Sequence, residues 1–301
     1  MEHARTSRPL VAILWMLVTG LCFVAVTAIV KYLGPRIPPE EQAFLRYFLG
    51  LVFLIPMIPV LRKTRFTGRL MLQFTLRGAL HSIGVMLWFF AMTQIPLAEV
   101  TAINYLSPIY VTLGAAMFLG EKLAMRRIAA VVTALIGAII ILRPGFREIE
   151  PGHLAMLLTA VLFGGSYLLA KVTADRVPAA VVVGMLSIMV TIFLAPFAYA
   201  VWVTPTWTEI AILFGVACFA TAGHYTMTLA FAAAPVAVTQ PVTFLQLVWA
   251  TALGALAFNE PVDFWVVLGG TIVLGSVCFI TWREAVLNRR QITPAAPATK
   301  V

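Results

Sequence analysis

The sequence predicts an all-α membrane protein of ten transmembrane helices, arranged as two inverted repeats of five. Three observations carry this. Of 301 residues, 61% are hydrophobic and only 11% charged, whereas a soluble domain carries about 25% charged residues. The apolar residues gather into blocks of about 20, the length that crosses a hydrocarbon core of about 30 Å. The chain also repeats itself at a spacing of 139–140 residues.

The blocks run 10–33, 42–61, 71–95, 97–120, 127–142, 153–173, 179–203, 209–232, 236–258 and 262–282. Each is long enough for a helix and too uninterrupted for the alternating strands of a membrane β-barrel. The first follows Arg5 and Arg8, as a cleavable signal would. It is too long for that and lacks a small-x-small cleavage site, so it reads as an uncleaved first span. Residues 1–9 are then a short N-terminal segment, and 283–301, ending "ITPAAPATKV", read as a disordered tail. Cys22, Cys218 and Cys278 fall inside spans and read as buried thiols without a disulfide role.

The net charge of +9 is topological. With a cytoplasmic N-terminus and alternating spans, fifteen of the 21 Lys and Arg residues fall on the cytoplasmic side and four (Lys31, Arg36, Arg143, Arg147) on the other. Arg46 and Arg77 lie within spans. That asymmetry follows the positive-inside rule and places both termini in the cytoplasm. Nucleic acid is not an expected partner. A small-molecule substrate and the lipid bilayer are, with a homodimer as the protein assembly to consider, and no cofactor or metal is expected.

Residues 89–123 and 228–262 superimpose on a shift of 139, matching Pro96 to Pro235, Ala98 to Ala237, Leu106 to Leu245 and Glu121 to Glu260. A shift of 140 matches Phe23 to Phe163, Lys31 to Lys171 and Pro56 to Pro196. Residues 10–142 and 153–282 are thus two copies of one five-span unit. An odd span number inserts the second copy upside down, the arrangement of secondary transporters whose substrate site lies near the midplane between the halves.

Within this repeat, "TAINYLSP" (101–108) places Thr101, Asn104 and Ser107 three residues apart, and the shift sets them on Gln240, Thr243 and Gln246. Spacing i, i+3, i+6 stays on one helix face. Ser107 and Gln246 lie about ten residues into their spans, roughly 15 Å deep. Such groups also glue membrane helices together; two stripes in register at the midplane of an inverted repeat favour the lining of a shared cavity. Pro108 and Pro241 loosen backbone pairing at the same points.

Other intramembrane polar residues have two readings each. On the third span Arg77, His81, Gly84 and Trp88 share a face; Arg77 reads mainly as a snorkelling end residue. Trp88 is either a flat wall for a ring-bearing substrate or a lipid-facing aromatic. Arg46 is either an interfacial anchor paired with Glu41 or Glu99, or a counter-charge for an anionic substrate group. His81 and His224 are polar handles or hydrogen-bonded packing residues. Glu121 and Glu260, at span ends, read as caps or partners of nearby cations.

An intramembrane enzyme is the rival class. H-E-x-x-H, G-x-S-x-G, the P-loop and Cys/His metal spacings are all missing from the sequence. "EEQAFLR" (40–46) faintly resembles the Glu-Glu…Arg signature of intramembrane CAAX-type proteases, with one residue too many and no following His motif.

Two five-span units, the P-x-A pairs at Pro96/Ala98 and Pro235/Ala237, the glutamates of "FLGEKL" and "AFNEPV", and "ALIGAIIILRPG" closing the first unit resemble the EamA family of the drug/metabolite transporter superfamily. "VKYLGPRIPPEEQAFLRYFLG" and "LRGALHSIGVMLWFFAMTQIPLAEV" are most similar to its bacterial S-adenosylmethionine and riboflavin uptake carriers, with amino-acid and metabolite exporters as close relatives. The resemblance implies a basket with four helices of each half around a central cavity and the fifth as a buttress. It implies gating hairpins at blocks 3–4 and 8–9. The expected function is a secondary transporter of a small ring-bearing or zwitterionic metabolite by alternating access. Its expected substrate-binding residues are Thr101, Asn104, Ser107, Gln240, Thr243, Gln246, Trp88, Arg46, His81 and His224. Export of amino acids or related metabolites is the alternative.

Overall fold

The computed structural model describes residues 8–119, 125–146, 148–174, 176–233 and 240–292. In chain order the helices are α1 (Pro9–Leu33), α2 (Pro39–Gly50), α3 (Ile58–Lys63), α4 (Gly68–Gln94), α5 (Leu97–Asn104), α6 (Ser107–Leu119), α7 (Met125–Leu142), α8 (Pro151–Ala174), α9 (Ala179–Ala200), α10 (Trp207–Ala233), α11 (Phe244–Phe258) and α12 (Phe264–Ile292). Among the described residues, eight helical segments are long and apolar enough to span a membrane, and Ile128–Leu142 and Leu245–Phe258 are shorter apolar helices. Together they are the ten expected spans. The second span is α2, a 3-10 stretch Leu51–Met57 containing Pro56, and α3; the fourth is α5 plus α6.

Helices form because a backbone in hydrocarbon must satisfy its own hydrogen bonds. Their faces sort by partner. α4 buries Phe74, Arg77, His81, Val85, Phe89 and Met92, a stripe at spacings of three and four, and turns Leu72, Leu76 and Ile83 outward. α1 likewise exposes Leu14, Val18 and Leu21 while burying Met16, Thr19, Val26 and Val30.

The halves interlock as an inverted repeat should. α1, first span of one unit, packs on α10, third span of the other; α4, third of the first, packs on α8, first of the second. The second spans meet as α2 on α9, and the fifth spans as α7 on α12. Thr19 and Thr159, equivalent under the shift of 140, each bond across this interface: Thr19 Oγ1 lies 2.8 Å from Thr226 Oγ1, and Thr159 Oγ1 donates to the Gly84 carbonyl at 3.2 Å. Where α7 crosses α12 two glycines meet. A Cβ on Gly137 would lie 2.8 Å from the Gly269 carbonyl oxygen, and one on Gly269 2.5 Å from that of Gly137, so only backbone fits this close approach.

One end of the bundle is tied by charge. Lys31–Glu260, Arg36–Glu209 and Arg143–Asp263 are ion pairs and His153–Glu99 a buried hydrogen bond between described residues, and each joins one half to the other. All four sit by the loops 34–38, 95–96, 143–150 and 259–263 or the start of α10. Lys31 Nζ also donates to the Ile95 carbonyl (2.9 Å), and Glu260 accepts the Leu97 N–H (2.9 Å). Glu260 therefore does pair with a cation, as its sequence position suggested, but across the repeat interface. Glu121 lies outside the described residues.

The fourth span of the first half is broken. α5 stops at Asn104, Tyr105 and Leu106 form a turn, and α6 restarts at Ser107 with Pro108 in its first turn, where a missing N–H is tolerated. In the second half a 3-10 turn, Gln240–Thr243 with Pro241 inside it, precedes α11. The first polar stripe is thus not carried on one continuous helix, and the second sits on the 3-10 turn and the first turn of α11.

Candidate functional site

Between the halves lies a cavity of about 390 Å3, at the small-ligand end of the usual range of about 300–1,000 Å3. Thr101, Asn104, Ser107, Thr243 and Gln246 line it from the two fourth spans, and Arg46, His81, Trp88 and His224 from α2, α4 and α10. Gln240 belongs to the 3-10 turn, but its side chain lies outside the described residues. The structure so brings nine of the ten residues expected from sequence to one cavity.

Their local geometry differs. Thr101 Oγ1 donates to the Leu97 carbonyl at 2.9 Å, the back-bond usual for helical threonines, and Ser107 Oγ approaches Asn104 Oδ1 at 3.4 Å. Tyr105 donates its hydroxyl to the Thr243 carbonyl at 2.8 Å, so each fourth span braces the other. His81 is enclosed: Nε2 lies 2.8 Å from the Tyr47 hydroxyl, Nδ1 3.2 Å from Ser166 Oγ, and Phe163 stacks on the ring at 4.7 Å. His224 meets Phe23 edge-on at 5.1 Å.

The walls are aromatic. Trp88 stands edge-to-face with Phe163 at 6.2 Å, and Tyr167 leans on Phe163 at 5.8 Å. Trp88 is a cavity residue, not a lipid-facing one. Gly84 makes room for this wall, since a Cβ there would lie 2.8 Å from the Phe163 ring. Phe23, Tyr47, Phe163 and Tyr167 were not picked out as site residues from sequence. An aromatic residue in an apolar span carries no signal separating cavity wall from packing core.

Two arginines depart from the sequence reading. Arg46 is only 6% exposed, not interfacial, and its guanidinium carbon sits 3.9 Å from the centre of the Tyr47 ring. Its presumed partners are engaged elsewhere: Glu41 accepts the Val203 N–H at 2.8 Å and Glu99 pairs with His153. α2 begins at Pro39 and buries Glu41 and Gln42 completely, so residue 46 lies deeper than a block starting at 42 implied. Arg77 does not snorkel. It too is 6% exposed, and one terminal NH2 donates to the Val182 carbonyl of α9 at 2.9 Å.

Comparison with known proteins decides the class. The EamA-like transporter family matches the chain twice, over residues 10–143 and 150–282. This chain belongs to the EamA-like transporter family. It is a membrane transporter, not an enzyme. A protein of Rhizobium johnstonii named riboflavin transporter is 29% identical to it, with 96% of each chain covered. A Rickettsia conorii protein named S-adenosylmethionine uptake transporter is 26% identical, covering 92% of this EamA chain and 94% of its own. A solved crystal structure superimposes with a TM-score of 0.61 over 94% of this chain and 99% of that one, at 19% identity, a likeness of fold.

Proposed function

We propose that this transporter is a secondary carrier of a small, ring-bearing organic metabolite in a bacterial inner membrane, with both termini cytoplasmic. The two halves rock about the central cavity and expose it to one side at a time. The observation that carries this reading is the cavity: aromatic walls from both repeats surround hydrogen-bonding side chains carried by the two fourth spans. A flat heterocycle stacks on Trp88, Phe163 and Tyr167 while Asn104, Ser107, Thr243 and Gln246 read its polar edge. Broken membrane helices commonly supply such sites, because freed backbone groups face a cavity instead of lipid.

The name of the Rhizobium relative puts riboflavin first among substrates to test, and that of the Rickettsia relative puts S-adenosylmethionine second. Phosphorylated substrates fit less well, since they would call for clustered Arg and Lys at mid-depth. The distribution of Lys and Arg assigns the end tied by ion pairs to the external face.

The experiment is uptake of labelled riboflavin into proteoliposomes of the purified protein. Asn104→Leu and Gln246→Leu should each lower uptake at least about tenfold while inserting normally, a factor corresponding to about 1.4 kcal/mol. Wild-type flux in both variants would return the polar stripes to the role of helix glue.

A further inference from the structure

We propose that the cavity contains an acceptor subsite, formed by Arg46 against Tyr47, that takes the anionic or carbonyl-rich edge of an aromatic permeant and excludes cations. The inference rests on the reading of the cavity as the substrate site and adds the chemical class that the site selects.

Arg46 lines the cavity, is more than nine-tenths buried, and makes no hydrogen bond or ion pair with any described residue; its Nε is buried without a partner. The Tyr47 ring covers one face of the guanidinium, a favourable cation–π contact that neutralises nothing. Among the described residues no carboxylate lines the cavity. Glu99 is bound to His153 and Glu260 to Lys31, and Glu41, which does not line the cavity, accepts the Val203 N–H through one carboxylate oxygen. Arg77, also buried, meets only the neutral Val182 carbonyl, and its Nε is likewise unpartnered. The cavity wall therefore holds one permanent cation, Arg46, and, among the described residues, no carboxylate facing it.

A guanidinium cannot shed its proton to escape burial, and an uncompensated buried charge is strongly unfavourable. Within membrane spans such residues mark the substrate path. The planar donors of Arg46 match a carboxylate, or a carbonyl oxygen beside an unprotonated ring nitrogen, in a two-pronged hydrogen bond. A ligand of net positive charge meets repulsion and no acceptor on this side. The subsite so ranks a neutral flavin, which offers a carbonyl oxygen beside an acceptor ring nitrogen, above a cationic sulfonium compound.

The test is a charge series of matched two-ring probes on the purified full chain: 2-naphthoate, 2-naphthamide and trimethyl(2-naphthyl)ammonium, read by thermal shift and by mutual competition. A ligand that binds only the folded protein raises its apparent stability. The expected result is 2-naphthoate binding about tenfold tighter than the amide and no shift with the ammonium probe. R46Q should abolish the preference of acid over amide while still binding the amide, and R46K should retain part of it. Equal shifts from all three probes, no shift from the acid, or a preference that survives R46Q would each overturn the subsite. Should R46Q not accumulate, the wild-type series decides alone. Loss of riboflavin uptake with an intact charge series would remove the proposed substrate and leave the subsite standing.

Discussion

His81 has both ring nitrogens occupied by Tyr47 and Ser166 and one face covered by Phe163, so its work is to fix a wall. The same wall depends on Gly84, one turn further along α4. Adding a methyl there drives it to within 2.8 Å of two Phe163 ring atoms, and Phe163 can yield only into the cavity or against His81. Overpacking of this kind costs about 1–3 kcal/mol. Gly84→Ala should insert normally, lose a few degrees of thermal stability and raise the KM for uptake several-fold, measured in proteoliposomes. An unchanged KM would mean that Phe163 is not part of the substrate wall. Residue-level reading of the sequence found the polar lining because amides and hydroxyls are conspicuous in an apolar span. It missed Phe163 and Tyr167 because their aromaticity is commonplace there. It placed Arg46 too shallow because Glu41 and Gln42, which look like the start of a loop, are buried, with Gln42 donating to the Gly34 and Ile37 carbonyls at 2.8 Å each and folding the loop inward.

At the scale of elements, hydropathy located the spans, since a stretch of about 20 apolar residues has few other uses. Where a span stops being a regular helix was only half legible. Pro108 marked the break in the first half, yet a three-residue polar period still reads as one continuous face. The structure interrupts that period at Tyr105–Leu106, and the Tyr105 hydroxyl joins this point to the Thr243 carbonyl at the start of α11. Nothing in the local sequence pairs those two residues; only the inverted superposition of the repeats brings them together. Tyr105 is 8% exposed, so removing its hydroxyl deletes one largely buried hydrogen bond, at about 1 kcal/mol. Tyr105→Phe should lower the melting temperature by about 2 °C for a chain of this size and loosen the site, seen as a higher KM. A melting temperature equal to the wild type would show that the two fourth spans are held by something other than this bond.

Across the whole molecule, three ion pairs and the His153–Glu99 hydrogen bond tie half to half at one end, and Glu260, paired with Lys31, also holds the start of α5 through the Leu97 N–H. On the alternating-access mechanism proposed above, this end is closed in the present structure and must part for the cavity to open there. The Lys31–Glu260 side chains are only 18% and 10% exposed, so solvent screens the pair less than a surface bridge. Removing both partners at once releases the latch without stranding a charge. In a cysteine-free background, Val100→Cys places a thiol in the cavity wall a few residues from that end. Lys31→Met with Glu260→Gln should raise its labelling by a membrane-impermeant maleimide, added from the external side, about three- to tenfold. That range corresponds to a shift of roughly 0.7–1.4 kcal/mol between the two states. Exchanging the charges, Lys31→Glu with Glu260→Lys, should return labelling toward the wild-type rate, because attraction rather than residue identity closes the end. If the neutral pair labelled no faster than wild type, the ion pairs would be cement for a static bundle, and the moving boundary between the halves would have to be sought elsewhere.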